Sequence, residues 1–400
     1  MASVKLGNKA VGSVVKFKVD GVLTEFLVVH QGKPGSMYDD SCDGTWLLMK
    51  DIYTKSYWDN DGKGYNDYAN SAVHQYVNNS FLKLVDAGIR EKIKLVKIPY
   101  RPGFGNSMTV NSGANGLLSR CFLLAATEVG TTDKKMPEEG VKLSYFTQAN
   151  ATRIAYFNSE KESWFIRTPV CWENNGSGLH DRYIKYIKKD GYLAPDGSGT
   201  AYQNKGIRPA MILPPDTLWV NDAGEITENT APGAPSSITI PEPVMGGTSI
   251  TVSWGASSDA EGNLEGYAVE RSTDGGSVWT QIYQGSDRKA SNSVPFGTAS
   301  VMYRVRAYDS EGLTSSWRTS AQVTVVNNTA PGASGGISVP EEVKGGGTLD
   351  ITWSAAVDPD GDLAGYALER QADGGAWTVI YTGTEAAFTD TVTKGWQTVA

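Results

Sequence analysis

Histidine and cysteine are scarce in this chain, with three of each in 400 residues. Cys42, Cys121 and Cys171 cannot all pair, and they are scattered rather than clustered. No C-x₂-C spacing occurs, so neither a zinc site nor a disulfide framework is expected, and the thiols read as buried. His30, His74 and His180 lie in no recognisable catalytic motif. The pattern H-E-x-x-H and a phosphate-cradling glycine loop are both missing. The expectation is therefore a non-enzymatic protein with no metal and no cofactor. Positive charge is also in deficit: 36 Lys and Arg stand against 44 Asp and Glu, for a net charge of −8. That balance argues against nucleic acid or an anionic membrane as the main partner, since both would favour a basic stripe. The densest basic run, "IREKIKLVKIPYR" at 89–101, reads as a solvated helix face. No apolar stretch approaches the ~20 residues of a membrane-spanning helix, and membrane insertion is not expected. The opening "MASVKLGNKAVGSVVKFKVDG" lacks the apolar core of a secretion signal, so the chain is expected to stay in the cytoplasm of the cell that makes it.

What the sequence does have is glycine and aromatic residues: 45 Gly, 11 Trp and 19 Tyr, the profile of many short strands and turns. It also has a repeat. Residues 228–233 read "ENTAPG" and residues 327–332 read "NNTAPG", with Thr230 and Thr329 ninety-nine positions apart. That spacing is one small domain, and internal periodicity of this kind organises everything around it. After each phrase comes a proline-punctuated strand, "ITIPEPV" or "ISVPEEV", then "MGGTSITVSWGA" or "KGGGTLDITWSA". Ile250, Val252 and Trp254 alternate, as do Leu349, Ile351 and Trp353, and period two places each trio on one face of a strand. Strands carrying Tyr267 and Tyr366 follow, then a hairpin through "DGG" in each copy. The first copy ends with "MYRVRAYDSEGLTSSW" and "AQVTVV". Seven short strands of this spacing fit a two-sheet antiparallel sandwich. With Trp254 or Trp353 on the second strand, Tyr303 at the start of the sixth and no paired cysteines, residues 229–400 closely resemble fibronectin type III modules. The expected domains are 1–228, 229–327 and a partial module 328–400. "KGWQTVA" aligns with "FGTASVM", so the second copy stops just before its sixth strand. The expectation is that the natural chain continues or, less favoured, that a neighbouring chain completes the sheet.

Two acidic loops invite a calcium reading. "DPDGD" at 358–362 offers oxygens at alternating positions. The first copy has "DAEGN" there, and tight turns select Asp, Gly and Pro for backbone reasons alone. "DNDGKGYND" at 59–67 puts Lys63 in a ligand slot. Both loops are expected to be turns.

The first 228 residues show no repeat. "GSVVKFKVDG" and "LTEFLVVHQG" meet at an Asp-Gly turn and predict a β-hairpin; "DGTWLLMKDIYTKSYW" predicts a further strand ending in exposed aromatics. In "NSAVHQYVNNSFLKLV" the period changes: Val73, Tyr76 and Val77 follow i, i+3, i+4 behind a Ser71 cap. Asp86 caps a second short helix with Ile89 and Ile93 one turn apart, and "LSRCFLLAATEVG" reads as a buried run. Together these give an α+β domain. "VHQYVNNSFL", "IREKI", "CFLLAATEV", "SWFIRTP" and "KGIRPAMIL" occur in that order. They resemble a bacterial and phage family of unknown function that is similar to C-type-lectin-like domains and to the formylglycine-generating enzyme fold. The resemblance spans about residues 4–215. It implies two core strands, around Trp164–Pro169 and Arg208–Pro209, bracketing variable surface loops. It gives Trp164, Arg167, Arg208 and Pro209 structural roles, the two arginines tying loops to backbone carbonyls. The reactive cysteine pair of the formylglycine-generating enzymes has no counterpart in Cys121 and Cys171, so no chemistry is carried over.

On that reading function sits at residues 170–206. Trp172, Asn174, Asn175, His180, Arg182, Tyr183, Tyr192, Asp196 and Tyr202 are the candidate ligand-binding residues. Aromatic rings beside Asn, Ser and Gly combine rigid contact area with adaptable hydrogen bonding, and ring faces suit sugars. Alternation in "RYIKYI" must nonetheless bury one of its faces. A compact head followed by "TENTAPGAP" and a string of sandwiches is the layout of a phage tail fibre, baseplate or capsid decoration, or of an adhesin. The expected setting is a virion or phage-tail-like particle assembled in the host cytoplasm. Its expected partners are other virion proteins, copies of itself in a symmetric assembly, and a host cell-surface glycan or protein. Two alternatives stay open: a purely structural anchor for projecting spacers, and a secreted or cell-surface bacterial adhesin.

Overall fold

The computed structural model describes residues 3–59, 65–103, 108–131, 137–147, 149–170, 182–194, 198–199 and 203–400. Two compact units are present. One comprises residues 1–232 with 258–264 and 309–313; the other comprises 233–257, 265–308 and 314–400.

The N-terminal region is built mainly of strands. Val14–Val19 and Val22–Gln31 pair as an antiparallel hairpin. Asp20 and Gly21 both have positive φ at its tip, the two-residue turn whose twist matches the flanking strands. Thr45–Met49, Ala210–Leu213 and Cys121–Phe122 extend this hairpin into a five-stranded antiparallel sheet. A second five-stranded sheet runs in the order Ser198–Gly199, Tyr183–Ile187, Trp164–Pro169, Lys205–Ile207, Thr54–Ser56. Within it Trp164–Pro169 and Lys205–Ile207 are parallel neighbours. Two short connections join the sheets directly, at residues 50–53 and at Arg208–Pro209.

The helical part is small. Ser71 caps Ala72–Gln75 by accepting from the His74 amide, and Asp86 caps Ala87–Lys92 by accepting from the Gly88 amide. Between them Tyr76–Phe81 widens to a π-helical turn. There the Asn78 side chain reaches across to accept from the amides of Arg120 and Cys121 and to donate to the Cys121 carbonyl. Val73, Val77, Phe81, Ile89 and Ile93 join one continuous core with the sheets.

Three local expectations are corrected. Only Tyr57 is exposed at the end of the third strand; Trp58 is fully buried, against Tyr68 and Phe165. The basic run is not one helix face: the helix ends at Lys92, Val96–Ile98 is a strand, and Arg101 is buried. In "RYIKYI" strict alternation fails, because Lys185 is buried together with Ile184 and Ile187. Cys42 and Cys121 are buried free thiols whose pKa values burial raises to about 12, while Cys171 lies outside the described residues.

The C-terminal part is all-β and fibronectin type III-like. In the first sandwich Ile238–Thr239, Ser249–Trp254 and Lys289–Ser293 form one sheet. The other sheet holds Leu264–Ser272, Thr280–Gly285, Ser300–Asp309 and Val323–Val326. Ile250 and Val252 pack with Val301 and Tyr303 between them. The 99-residue repeat is a repeat of contacts. Trp254 meets Tyr267 and Tyr283 at 5.8 and 5.6 Å; Trp353 meets Tyr366 and Tyr381 at 5.6 and 5.9 Å. The Tyr267 hydroxyl accepts from the Ser257 amide, and the Tyr366 hydroxyl accepts from the Ala356 amide. Thr230 gives its amide to Glu261, and Thr329 gives its amide to Asp360 at the equivalent place. The repeated "NTAPG" phrase is thus the lead-in that each sandwich ties to its own acidic turn. On the face of the first sandwich Arg304 lies between Trp279 and Trp317, 4.4 Å from each ring centre. In the second, residues 397–400 run beside residues 371–373, and a groove of about 690 Å³ lies along Leu349, Ile351, Leu368, Trp396 and Val399.

Candidate functional site

Of the nine residues singled out for ligand contact, Arg182, Tyr183 and Tyr192 are described. Trp172, Asn174, Asn175, His180, Asp196 and Tyr202 lie outside the described residues. Tyr183 and Tyr192 are 40% and 56% exposed, and Arg182 is exposed beside Tyr183. The start of this surface is pinned from a distance: Asn66, itself buried, donates to the carbonyls of Val170 and Tyr183. Gly103 makes room for it, since a Cβ there would lie 2.7 Å from the Asn66 carbonyl oxygen at a φ of +65°. At the far end Lys188 and Tyr192 close a turn, with the Lys188 amide donating to the Tyr192 carbonyl and the Tyr192 amide to Asp190. The two exposed tyrosines therefore stand at opposite ends of Tyr183–Ile187, roughly 15 Å apart at about 3.3 Å per residue. They do not converge on a single small pocket. Tyr186, between them, is covered by Lys205 at 4.4 Å.

The residues assigned structural roles are mostly deeply buried. Trp164 donates its indole N–H to the Arg153 carbonyl. Arg167 is at the centre of a sealed ionic cluster. Nη1 and Nη2 form a forked pair with Glu128 at 2.6 and 2.8 Å, and Nε lies 3.2 Å from Glu139. The same guanidinium donates to the carbonyls of Pro99 and Leu123. Tyr38 donates to Glu128 and Thr168 donates to Glu139, whose Oε1 also accepts the Arg101 amide. Burial raises the Glu139 pKa, partly offset by Arg167 and Thr168. Burial alone would lower that of Arg167, but Glu128 and Glu139 carry it above its ordinary value. With the Arg167, Glu128 and Glu139 side chains at 0–1% exposure, the cluster is a structural knot rather than a place for substrate. The sequence showed Arg167 but not its acidic partners, which lie 28 and 39 positions away along the chain and carry no local pattern.

His30 and His74 offer little chemistry. His30 takes a 2.8 Å hydrogen bond from the Ser144 hydroxyl, and burial lowers its pKa. His74 bridges the Ala69 carbonyl and Ser119. Among the described residues neither ring meets a carboxylate. In the 358–362 turn three carboxylates come within 4.8 Å of one another. Asp358 there accepts the amides of Asp360 and Gly361, and Asp360 accepts that of Thr329. The first sandwich makes the same turn through Asp259, which accepts the amides of Glu261 and Asn263. A backbone role accounts for both. Residues 60–64 of the other acidic loop lie outside the described residues.

One concavity in the N-terminal region was not legible in the sequence. Where the chain crosses between the sheets, ladder pairing is interrupted, and Arg208 takes over: Nε donates to the Met49 carbonyl at 2.7 Å and Nη2 to the Lys50 carbonyl at 2.8 Å. Its Cζ lies 5.0 Å from the centre of the Trp164 ring. Pro209 has no amide to offer, but its carbonyl accepts from Met49. Arg208 is 1% exposed, and its third nitrogen, Nη1, is buried with no hydrogen-bond partner. Burial lowers its pKa to about 10, with Tyr145 and Asp51 opposing the shift. This side chain forms part of the wall of a cleft of about 570 Å³, together with Tyr53, Tyr145, Tyr156, Phe157 and Asn158.

Comparison with known proteins assigns no function. A family model described as a domain of unknown function (DUF6273) matches residues 43–215. No curated protein matches the chain. Among solved structures, the chicken CNTN1 FN1–FN3 domains are 13% identical at a TM-score of 0.25, over 54% of this chain and 86% of that one. Titin domains A168–A170 are 15% identical at a TM-score of 0.23, over 41% and 54%. The PKD domain of an M14-like peptidase from Thermoplasmatales archaeon SCGC AB-540-F20 is 24% identical at 0.20, over 24% and 97%. With TM-scores this low, none of the three bears on function.

Proposed function

We propose that this chain is a non-enzymatic binding protein of a phage or phage-tail-like particle. A C-type-lectin-like head meets a host-surface glycan, and fibronectin type III-like modules serve as spacers. The observation that carries this reading is the exposure of Arg182, Tyr183 and Tyr192, with two large amphipathic rings standing in solvent near the two ends of Tyr183–Ile187. Rings held on a strand and a tight turn give contact area at little entropic cost, as polar recognition surfaces use them. The parallel pairing of Trp164–Pro169 with Lys205–Ile207, with Tyr183–Ile187 on the other side of Trp164–Pro169, supports the head assignment. The duplicated Trp–Tyr–Tyr triads and Thr lead-ins support a spacer role, since they duplicate fold and not surface. Weak single contacts would be multiplied by many copies on one particle.

The test uses the full chain against host envelope fractions and a glycan panel, beside a Tyr183→Ala/Tyr192→Ala variant. Saturable binding that weakens by about tenfold or more in the variant is expected, since exposed aromatic anchors dominate such interfaces. Absence of binding to every surface, or equal binding by the variant, overturns the reading. Chemical footprinting of the intact particle decides between head and anchor. Tyrosines 183 and 192 are accessible in a receptor-binding head and protected in an anchor docked on another subunit.

A further inference from the structure

Arg208 is a buried cation with two of its nitrogens committed to carbonyls and a third left unpaired at a cleft. Carbonyl dipoles partly solvate a guanidinium but do not neutralise it, Asp51 acts on it without an ion-pair contact, and a buried charge with no anion against it is costly unless a partner arrives. The other charges in the cleft are already engaged. Lys50 is paired with Glu25, and Asp51 holds the Tyr156 amide through one oxygen. Around them the walls are aromatic: Tyr145 and Phe157 are half-buried and Tyr156 is 40% exposed. Asn158 and Ser159 form the exposed tip of the hairpin Ala155–Phe157 to Glu160–Glu162, both in the left-handed region at φ of 49° and 67°. That turn places two short polar side chains at the mouth.

We propose that this cleft binds a ring-shaped ligand bearing a single carboxylate, the chemistry of an acidic sugar. The carboxylate pairs with Arg208 Nη1, the ring face lies against Tyr156 and Tyr145, and the hydroxyls meet Asn158, Ser159 and the free oxygen of Asp51. A volume of about 570 Å³ is within the ordinary range for a small-molecule site. Arg is the side chain suited to carboxylate recognition, because its remaining N–H groups keep the fork oriented while one edge stays open. The rim carboxylate of Asp51 sets the class of anion. It accepts hydrogen bonds from hydroxyls but repels a dianion, so a singly charged hydroxylated ring is favoured over phosphate. Because Nη1 is buried, entry of the carboxylate requires a side chain of the cleft wall to shift. The site is separate from the Tyr183–Tyr192 edge and does not depend on the particle reading: failure of host-surface binding leaves it standing.

The experiment titrates the full chain with methyl β-glucuronide, methyl β-glucoside and inorganic phosphate, followed by calorimetry or ligand-observed magnetic resonance. Saturable glucuronide binding at least about tenfold tighter than the glucoside is expected, a difference of about 1.4 kcal/mol. Tyr156→Ala, which keeps the backbone contacts of that strand, weakens the glucuronide by about tenfold with an unchanged melting temperature. Arg208→Lys removes the preference for the charged sugar; should that variant fold poorly, Tyr156→Ala and Asn158→Ala still decide. No saturation by about 30 mM glucuronide, well above the millimolar range that a weak site reaches, overturns the proposal. So does equal affinity for the glucoside, tighter binding of phosphate, or full binding by both rim variants.

Discussion

Arg167→Met is the most demanding perturbation the head offers. Methionine fills much of the same volume, so the loss is electrostatic rather than a cavity. Glu128 loses both charged contacts and keeps only the Tyr38 hydroxyl and the Ala125 amide. Glu139 keeps Thr168 and the Arg101 amide, while the Pro99 and Leu123 carbonyls lose their Arg167 donors. Breaking a buried pair from one side costs about 3–5 kcal/mol, and a stranded buried acceptor adds about 1–3 kcal/mol. Because these terms share one network they do not sum, and a loss of about 4–6 kcal/mol is expected. Folded domains are typically stable by about 5–15 kcal/mol, so the loss is a large share of what holds the N-terminal region folded. Hydrogen exchange followed by mass spectrometry on the full chain reads this region by region. The amides of residues 164–168 lose protection in proportion to the free-energy change, while those of Ser249–Trp254 in the first sandwich keep theirs. The partly exposed Lys55–Glu162 pair is the internal control: Lys55→Met costs under about 1 kcal/mol. A loss below about 1 kcal/mol for Arg167→Met would refute the claim that this cluster holds the head together.

Two further outcomes follow from the same chemistry. Glu139 has a raised pKa in the folded head, so between the ordinary carboxylate pKa and that raised value the folded state binds more protons than the unfolded state. Its contribution is therefore full at low pH and declines as pH rises through that window. Glu139→Gln removes this decline, and the difference in stability between wild type and variant, from urea melts at pH 4 to 8, falls with pH; a flat or rising difference contradicts it. For the acidic turn of the second sandwich, chelation by EDTA leaves the melting temperature within about 1 °C, because backbone amides already occupy Asp358 and Asp360. A drop of several degrees, about 1 kcal/mol or more for a domain of this size, would show that a cation is structural there.

Local chemistry was readable wherever it is written within a few residues. The Asp20–Gly21 hairpin, the Ser71 and Asp86 caps, and the alternating faces of Ser249–Trp254 and Thr348–Trp353 all depend on neighbours in sequence. So does the repeated Thr lead-in, because duplication copied both the phrase and the turn it binds. The strand order of the head was not readable in this way, because pairing such as Trp164–Pro169 with Lys205–Ile207 joins segments across a long excursion. Nor was the fate of single charges. Lys185 and Arg101 lie in stretches that look solvated, and only the packing of distant elements buries them. Arg208 is the clearest case. Its sequence context announces a structural arginine, and two of its nitrogens do hold carbonyls more than 150 residues away. That its third nitrogen is left unpaired beside a tyrosine-walled cleft follows from two sheet crossings and a hairpin meeting at one point. No run of residues encodes that meeting, because burial and hydrogen-bond satisfaction belong to the assembled fold.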